Sequence, residues 1–598
     1  MSVYQAPAED MEFVVNELVG LEPIQAMPGF EEVNADLVGA IVEEAGKFAT
    51  GVLDPINWPG DQVGAKLNDY VVTPAPGFSE AYKQFCDGGW GGLTNDPQWG
   101  GQGLPHTVAA LTAEMWNASC MSFALCPMLT AGAIQAIKRH GSDELKQIYL
   151  EKLVTGEWSG TMNLTEPQAG SDLSAVRSKA IPEGDHYRIT GTKIYITWGE
   201  HTMADNIIHL VLARLPDAPE GVKGISLFVV PKFLVNDDGS LGARNDVKCV
   251  SIEHKLGIHG SPTCVMAYGE DDGAIGYLVG EENRGLSYMF TMMNFARLEV
   301  GIEGLAISER AYQRAAEYAK GRVQGRAIGV KSGDRVSIIE HPDVRRMLLS
   351  MKSQVEAMRA LAIQTCSHLD RALHHEDADI RAKHQSMFDL LTPVVKGWCT
   401  EQSIEVTSLG VQVHGGMGFV EETGAAQYLR DARITPIYEG TTGIQANDLI
   451  GRKIAMEHGE TAKELIQSMK ESLTELQAFD SHDGLKVIRG RLEEGVQDLE
   501  QAVDWVVDNY LADPKTASAG AVPLLKLFGT VIGGWMLARS AMISKTKLDA
   551  GSNNDKFYRG KMATARFYAE NILPMAGVLK DQLTSGYKTI VALDASHF

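Results

Sequence analysis

What this sequence has little of narrows its biology first. Its 598 residues carry only seven cysteines, an odd number with no CxxC spacing, which predicts reduced thiols in a cytoplasmic compartment and argues against a disulfide framework or a zinc site. Basic charge is scarce: 54 Lys and Arg against 77 Asp and Glu leave −23 at pH 7, so nucleic-acid phosphate and anionic lipid are repelled and neither is an expected partner. Any anionic ligand must be met by local cations. Long apolar runs are missing as well. The longest, LFGTVIGGWMLA (527–538), lies between Lys526 and Arg539 and falls short of the roughly 20 residues a bilayer core demands, so a buried helix and no membrane span is expected. The opening MSVYQAPAEDMEFVV already carries acids, unlike a secretory or transit leader. With no leader expected, the sequons at Asn117 and Asn163 carry no weight. No GxGxxG follows a strand pattern and no helices alternate with strands, which removes the Rossmann route to a dinucleotide.

What is present is a chain that is 44% hydrophobic, enough for three or four packed domains. From Val33 to Leu153 the pattern is helical, broken by DGGWGGLTNDPQWGGQGLP, a turn-rich segment whose Trp90 and Trp99 read as packing anchors. Between Trp158 and Val279 the period shortens to two in HYRITGTKIYIT, DNIIHLVLARL, GISLFVVPK and VKCVSIEH, the mark of a β-domain. The helical period returns at Gly285, where Met347, Met351, Val355, Met358, Ala362, Cys366 and Leu369 form one stripe suited to bundle packing. Beyond Gly459 further amphipathic helices follow, LKVIRGRLEEGVQDLEQAVDWVVDNYL among them. The expected fold is therefore mainly α with a central β-domain. Its expected divisions are an arm (1–34), a helical domain (35–157), the β-domain (158–280), a helical bundle (281–458) and an added helical module (459–598).

Chemistry is concentrated in a few short stretches. MNLTEPQAGSDLSAVRSKA (162–180) stands where helical period gives way to strands, and its Pro and Gly turn the backbone while Thr165, Ser171 and Asp172 add short polar side chains. That composition suits a polar ring edge or a phosphate, and equally a turn without ligand. In ITPIYEGTTGIQ (434–445) a carboxylate, Glu439, stands in an otherwise apolar setting.

TEPQAGSD followed by GTKIYIT resembles the paired flavin-contacting segments of the acyl-CoA dehydrogenase family, and KLGIHGSPT, FARLEVGIEGLAISERAYQRAAEYAKGRVQGR, VQVHGGMGF and LRDARITPIYEGTTGIQ follow in family order. The likeness covers about residues 35 to 455. It implies a helical N-terminal domain, a β-barrel-like middle domain and a helical-bundle domain, with FAD held noncovalently and reaching a neighbouring subunit of a homodimer. Carried over by position, it puts Met162, Leu164, Thr165, Gly170 and Ser171 along the flavin and the start of the substrate tunnel. Tyr195 would cover the flavin, where many members have tryptophan, and Thr197 would stand near N5. Trp198 replaces a common asparagine. Arg322, Gln324, Gln412 and Gly416 match positions that meet the FAD pyrophosphate or adenosine, and an arginine fork suits phosphate oxygens.

The same resemblance makes Glu439 the base that removes the α-proton of an acyl-CoA while the β-carbon delivers hydride to flavin N5. Thr441 would contact the flavin, Gly443 departs from a frequent glutamine, and Asn294 and Arg297 would line the CoA side of the tunnel or lie near the base. A base within ~3 Å of the proton and a donor pair on the thioester oxygen are what the step requires, and amides flanking Gly440 are candidates for the donors. No metal site is expected. The long C-terminal module, the N-terminal arm and the Gly/Trp segment resemble one long subgroup of the family, which implies 3-methylthiopropionyl-CoA as substrate and electron-transfer flavoprotein as acceptor. A short- or medium-chain dehydrogenase or an oxidase are alternatives on the same fold. A noncatalytic nucleic-acid-binding or scaffold protein is the alternative from another class, weighed down by Glu439 and the −23 charge.

Overall fold

The period-two segments become strands of a single sheet. In the computed structural model, which describes residues 3–598, eight strands run in the order 247–252, 263–268, 186–197, 274–278, 226–231, 206–213, 158–163, with 179–183 also paired to 186–197. Met1 and Ser2, the start of the expected arm, lie outside the described residues. All pairings are antiparallel except that of Trp158–Asn163 with Asn206–Ala213. Strand 206–213 is buried at every position, as a strand covered on both faces must be. Ile189, Ile196, Val211, Phe228, Val230 and Met266 form its core.

One expectation fails inside the stretch read as helical. Lys66–Asn68 and Val71–Thr73 pair as a hairpin, turned by Asp69 and Tyr70 with φ of 46° and 65°. Two successive left-handed residues are the preferred two-residue hairpin turn, and three-residue strands are too short to show a period.

By its contacts the chain divides into two compact units. One takes in the chain up to Gly46, His106–Ala118 and Val300–Phe598; the other takes in Lys47–Pro105 and Ser119–Glu299, sheet included. In the first unit the Met-rich stripe is buried along the helix Pro342–His374. The apolar run lies within the helix Ala521–Asp549, where a Cβ on Gly529 would fall 2.1 Å from Cγ of Trp398. Glycine there lets a buried indole lie against the helix backbone. That helix and His106–His140 are long and apolar enough to cross a bilayer, yet 83% of the apolar window of each is buried inside the protein.

In the first unit, Asp10 near the N-terminus and Lys561 near the C-terminus are joined to the buried helix Pro342–His374 through charge. Arg359 is 1% exposed and its guanidinium lies 2.6 Å from Glu114, Glu309 and Asp10, while Lys561 lies 2.6 Å from Asp10 and 2.7 Å from Glu356. Burial alone would raise the Asp10 carboxyl; Lys561 and Arg359 hold it well below the usual range instead. Such a cluster is stable only when every partner is present, since an unpaired buried charge costs about 3–5 kcal/mol. Six of the seven cysteines are buried, and the described residues contain no group of three or more metal-ligating side chains.

Candidate active site

In the first unit the backbone around Glu439 does something unusual for a residue with a Cβ. Ile437 and Tyr438 both donate their N–H to Ile434 O, at 2.8 and 3.1 Å, and the chain then turns through two left-handed residues, Glu439 at φ 54° and Gly440 at φ 86°. Gly440 tolerates this; at Glu439 it costs roughly 1–3 kcal/mol and persists only where surroundings impose it.

The surroundings are specific. Lys396, fully buried in the helix Ala378–His414, donates Nζ–H to Gly440 O at 2.7 Å and to Thr435 O at 2.8 Å. The fully buried Gln445 donates to Glu439 O at 3.1 Å. Tyr438 donates its hydroxyl to Glu303, and burial, with the Glu303 and Glu439 charges, pushes that phenol well above its ordinary value, so it stays a donor. Thr441 caps the short helix Thr442–Asn447 by accepting from Ile444 N at 3.3 Å. Thr442 donates to Glu401 at 2.7 Å. Glu439 itself is half-buried.

Lys396, Gln445 and Glu303 escaped the reading of the sequence. A single lysine inside the apolar LLTPVVKGWC is the one signal that pointed to Lys396; Gln445 stood unremarked at the end of the quoted stretch.

Also in this unit, Tyr318 stacks on His414 at 4.4 Å, joining the ends of the helices Gly285–Gly321 and Ala378–His414; Gln412 lies in the last turn of the second, and Arg322, Gln324 and Gly416 lie just beyond the two helix ends. The Arg322–Gln324 segment is a backbone ladder, with Gln324 N to Val336 O at 2.9 Å and Ile338 N to Arg322 O at 2.8 Å. Arg322, Gln324, Gln412 and Gly416 are all exposed.

The second unit brings the two flavin-like segments together. Ile194 N donates to Thr165 O at 2.9 Å, which ties TEPQAGSD to strand 186–197. Against strand 263–268, the register passes from Lys193 opposite Met266 to Ile196 opposite Cys264, so an extra residue bulges there. A bulge re-aims side chains: Tyr195 adopts φ 60° and is 60% exposed. Thr197, Met162 and Thr165 are half-buried, Leu164 is buried, and Gly170 and Ser171 are exposed. Trp198, with φ 54°, is fully buried, donates Nε1–H to Ser122 O at 3.1 Å and lies 6.1 Å from the Phe78 ring, which makes it a packing residue of this core. Arg297 donates to Asn294 Oδ1 at 3.4 Å and its guanidinium lies 5.8 Å from the Phe290 ring.

Glu166, which the sequence reading passed over, is the hub of the loop. Its carboxylate accepts from Arg177 N at 2.7 Å, Ser178 N at 3.0 Å, Ser178 Oγ at 2.6 Å and Lys193 Nζ at 2.8 Å. Burial opposes its charge, but Lys193 and these donors hold it down to about 2. Burial pulls Lys193 down to about 8 against the attraction of Glu166.

Taken separately, each unit carries side chains whose donor chemistry suits part of a flavin dinucleotide. In the second unit Thr165, Ser171 and Thr197 offer hydroxyls and Tyr195 an exposed ring; in the first, Arg322 offers an exposed cation and Gln324 and Gln412 exposed amides. Hydroxyls and a ring suit the isoalloxazine edge and face, and a guanidinium suits pyrophosphate.

Comparison with known proteins agrees along the whole length. Residues 66–157, 161–269 and 283–454 match the models of the acyl-CoA dehydrogenase N-terminal, middle and C-terminal domains, and 464–594 match the acetyl-CoA dehydrogenase C-terminal-like model. The chain is 50% identical to a 3-methylmercaptopropionyl-CoA dehydrogenase of Ruegeria pomeroyi, over 95% of this chain and 96% of that protein. It is 36% identical to a butyryl-CoA dehydrogenase of Syntrophomonas wolfei, over 96% of each. In structure it resembles an acyl-CoA dehydrogenase of Bacillus anthracis complexed with FAD, with a TM-score of 0.74 and 19% identity over 95% of this chain and 90% of that one.

Proposed function

Because the chain belongs to the acyl-CoA dehydrogenase family, we propose that it catalyses FAD-dependent α,β-dehydrogenation of an acyl-CoA, with 3-methylthiopropionyl-CoA converted to 3-methylthioacryloyl-CoA. The observation that carries the substrate is 50% identity sustained over 95% of the chain, the added module included. The observation that favours Glu439 as base is the left-handed bend, braced by Lys396 and Gln445.

In this reading the Glu439 carboxylate takes the α-proton, and the Gly440 N–H donates to the thioester oxygen, stabilising charge that develops there. Lys396 and Gln445 hold the bend on its carbonyls, so little rearrangement accompanies the step. Beside an apolar acyl chain, desolvation favours proton transfer to the carboxylate. FAD, when bound, supplies the acceptor for the two electrons that leave with the β-hydrogen. Met162, Leu164, Thr165, Gly170, Ser171, Tyr195, Thr197 and Thr441 hold its flavin end, and Arg322, Gln324, Gln412 and Gly416 its phosphate and adenosine end. Asn294 and Arg297 face the CoA side, where Ser171 also serves.

Electron-transfer flavoprotein is the proposed acceptor, a cytoplasmic homodimer the proposed state, and 35–157, 158–280, 281–458 and 459–598 the proposed divisions after the 34-residue arm. Phe419 at 88% and Ile328 at 77% exposure are large apolar side chains that a second copy would cover. A butyryl-CoA specificity draws on the 36% relative. A thioether sulfur and a methylene differ little in bulk, and one methylene is worth only ~1–3 kcal/mol. Anaerobic titration of the FAD-loaded protein with butyryl-, octanoyl- and 3-methylthiopropionyl-CoA decides: fastest flavin bleaching with the thioether substrate is expected. Faster bleaching with butyryl-CoA transfers the assignment, and no bleaching with any of the three ends the dehydrogenase reading.

A further inference from the structure

Inside the second unit the Lys193–Glu166 ion pair is out of water on both sides. Lys193 is fully buried, the Glu166 side chain is 4% exposed, and Nζ lies 2.8 Å from Oε1. A buried pair of this kind is often no more stabilising than an apolar replacement of the same size, so bulk stability is a poor account of it.

Its neighbours supply a better one. Glu166 gathers Arg177 N, Ser178 N and the Ser178 hydroxyl, and Gln168 donates to it at 2.6 Å. Lys193 gives a second hydrogen bond to Leu164 O at 3.1 Å. Leu164 and Thr165 adjoin Glu166, and Tyr195 and Thr197 follow Lys193 by two and four residues at the bulge, which begins at Lys193 itself. One pair thus cross-braces two stretches 27 residues apart that carry the flavin-side candidates of this unit. With its lone pairs taken by donors, Glu166 has no capacity left to serve as a base, and neither group reaches the surface to meet a ligand.

We propose that Glu166 and Lys193 are positioning residues for the flavin: the pair clamps loop 165–178 onto the bulge of strand 186–197, so that the Thr165, Ser171 and Thr197 hydroxyls and the Tyr195 ring are prearranged before the cofactor arrives. The inference rests on the FAD reading above. Prearrangement lowers the ordering cost of binding, so its loss is read in affinity and in loop mobility, not in the chemistry of a bound substrate.

The test uses full-length apoprotein. Glu166→Gln and Lys193→Met each weaken FAD binding at least tenfold and speed amide exchange in 165–178. Because either single variant leaves a buried charge and can fail to fold, the double variant Glu166→Leu/Lys193→Met is decisive. It recovers the wild-type melting temperature while FAD affinity stays at least tenfold weak, exchange in the loop stays fast and the flavin midpoint potential shifts. A folded double variant with wild-type affinity, potential and loop exchange overturns the proposal. Failure of the unaltered chain to bind FAD is seen before any substitution; it fails the functional reading and removes the flavin role of the pair with it.

Discussion

Two glutamates, each in a short Gly/Thr-containing loop, are held in opposite ways. Glu166 in the second unit is held by its carboxylate, onto which Lys193 and the Arg177 and Ser178 donors converge. Around Glu439 in the first unit the bracing hydrogen bonds fall on backbone carbonyls, from Lys396 to Gly440 O and Thr435 O and from Gln445 to Glu439 O. A carboxylate saturated with donors is stabilised as an anion and becomes a poor base. A bend held by its carbonyls aims a side chain through its backbone. Motif membership alone does not separate the two residues; the destination of the hydrogen bonds does.

The contrast breaks most sharply at the carboxylates. Glu439→Gln is expected to slow flavin reduction by acyl-CoA by about 10³-fold or more in stopped-flow bleaching, with FAD affinity retained; undiminished bleaching would remove Glu439 from the mechanism. Glu166 predicts a different signature, in stability. Its folded value of about 2 lies below the ordinary 4.5, so its contribution is present above about pH 5 and is lost as pH falls through 4.5 toward 2. Urea unfolding should show wild type exceeding Glu166→Gln by on the order of 3 kcal/mol at neutral pH, with the gap closing below about pH 4. A gap that persists at about pH 2 contradicts the assignment.

Lys396→Met strips the buried Thr435 carbonyl of its side-chain donor and leaves the Gly440 carbonyl only the longer bond from Gln445, and about 2 kcal/mol of stability should go with it. With Glu439 as the proposed base, the same variant should lower the rate of bleaching more than it raises the acyl-CoA KM, since its backbone is then misaimed while the substrate surface is intact. Gly440→Ala is the mildest. A Cβ there meets Gln445 Nε2 at 2.8 Å and the residue must keep φ 86°, which is expected to cost about 1–2 kcal/mol, seen as a lower melting temperature with bleaching slowed by about tenfold.

Much of the architecture was legible before any coordinates. The change of period at Trp158 and again at Gly285 coincides with the first strand of the sheet and the first residue of the long helix Gly285–Gly321, and the Met stripe is buried along its helix. The hairpin at Lys66–Thr73 was illegible because its strands are three residues long. Glu439 stood out as a charge in an apolar stretch. Lys396 and Glu303 did not reveal what they hold, since they lie 44 and 135 residues from those groups; the apolar run around Lys396 marks it as buried but does not name its partners.

By itself the sequence determined periodicity, the apolar faces, the acidic balance and the order of the short motifs, because these follow from local stereochemistry and composition. Tertiary structure alone decided that donors converge on the Glu166 carboxylate, where the bulge turns Tyr195 outward, and how Lys396 braces a left-handed residue. Those outcomes depend on hydrogen bonds between chain positions far apart, and such bonds form only once packing has excluded the water that would otherwise take their place.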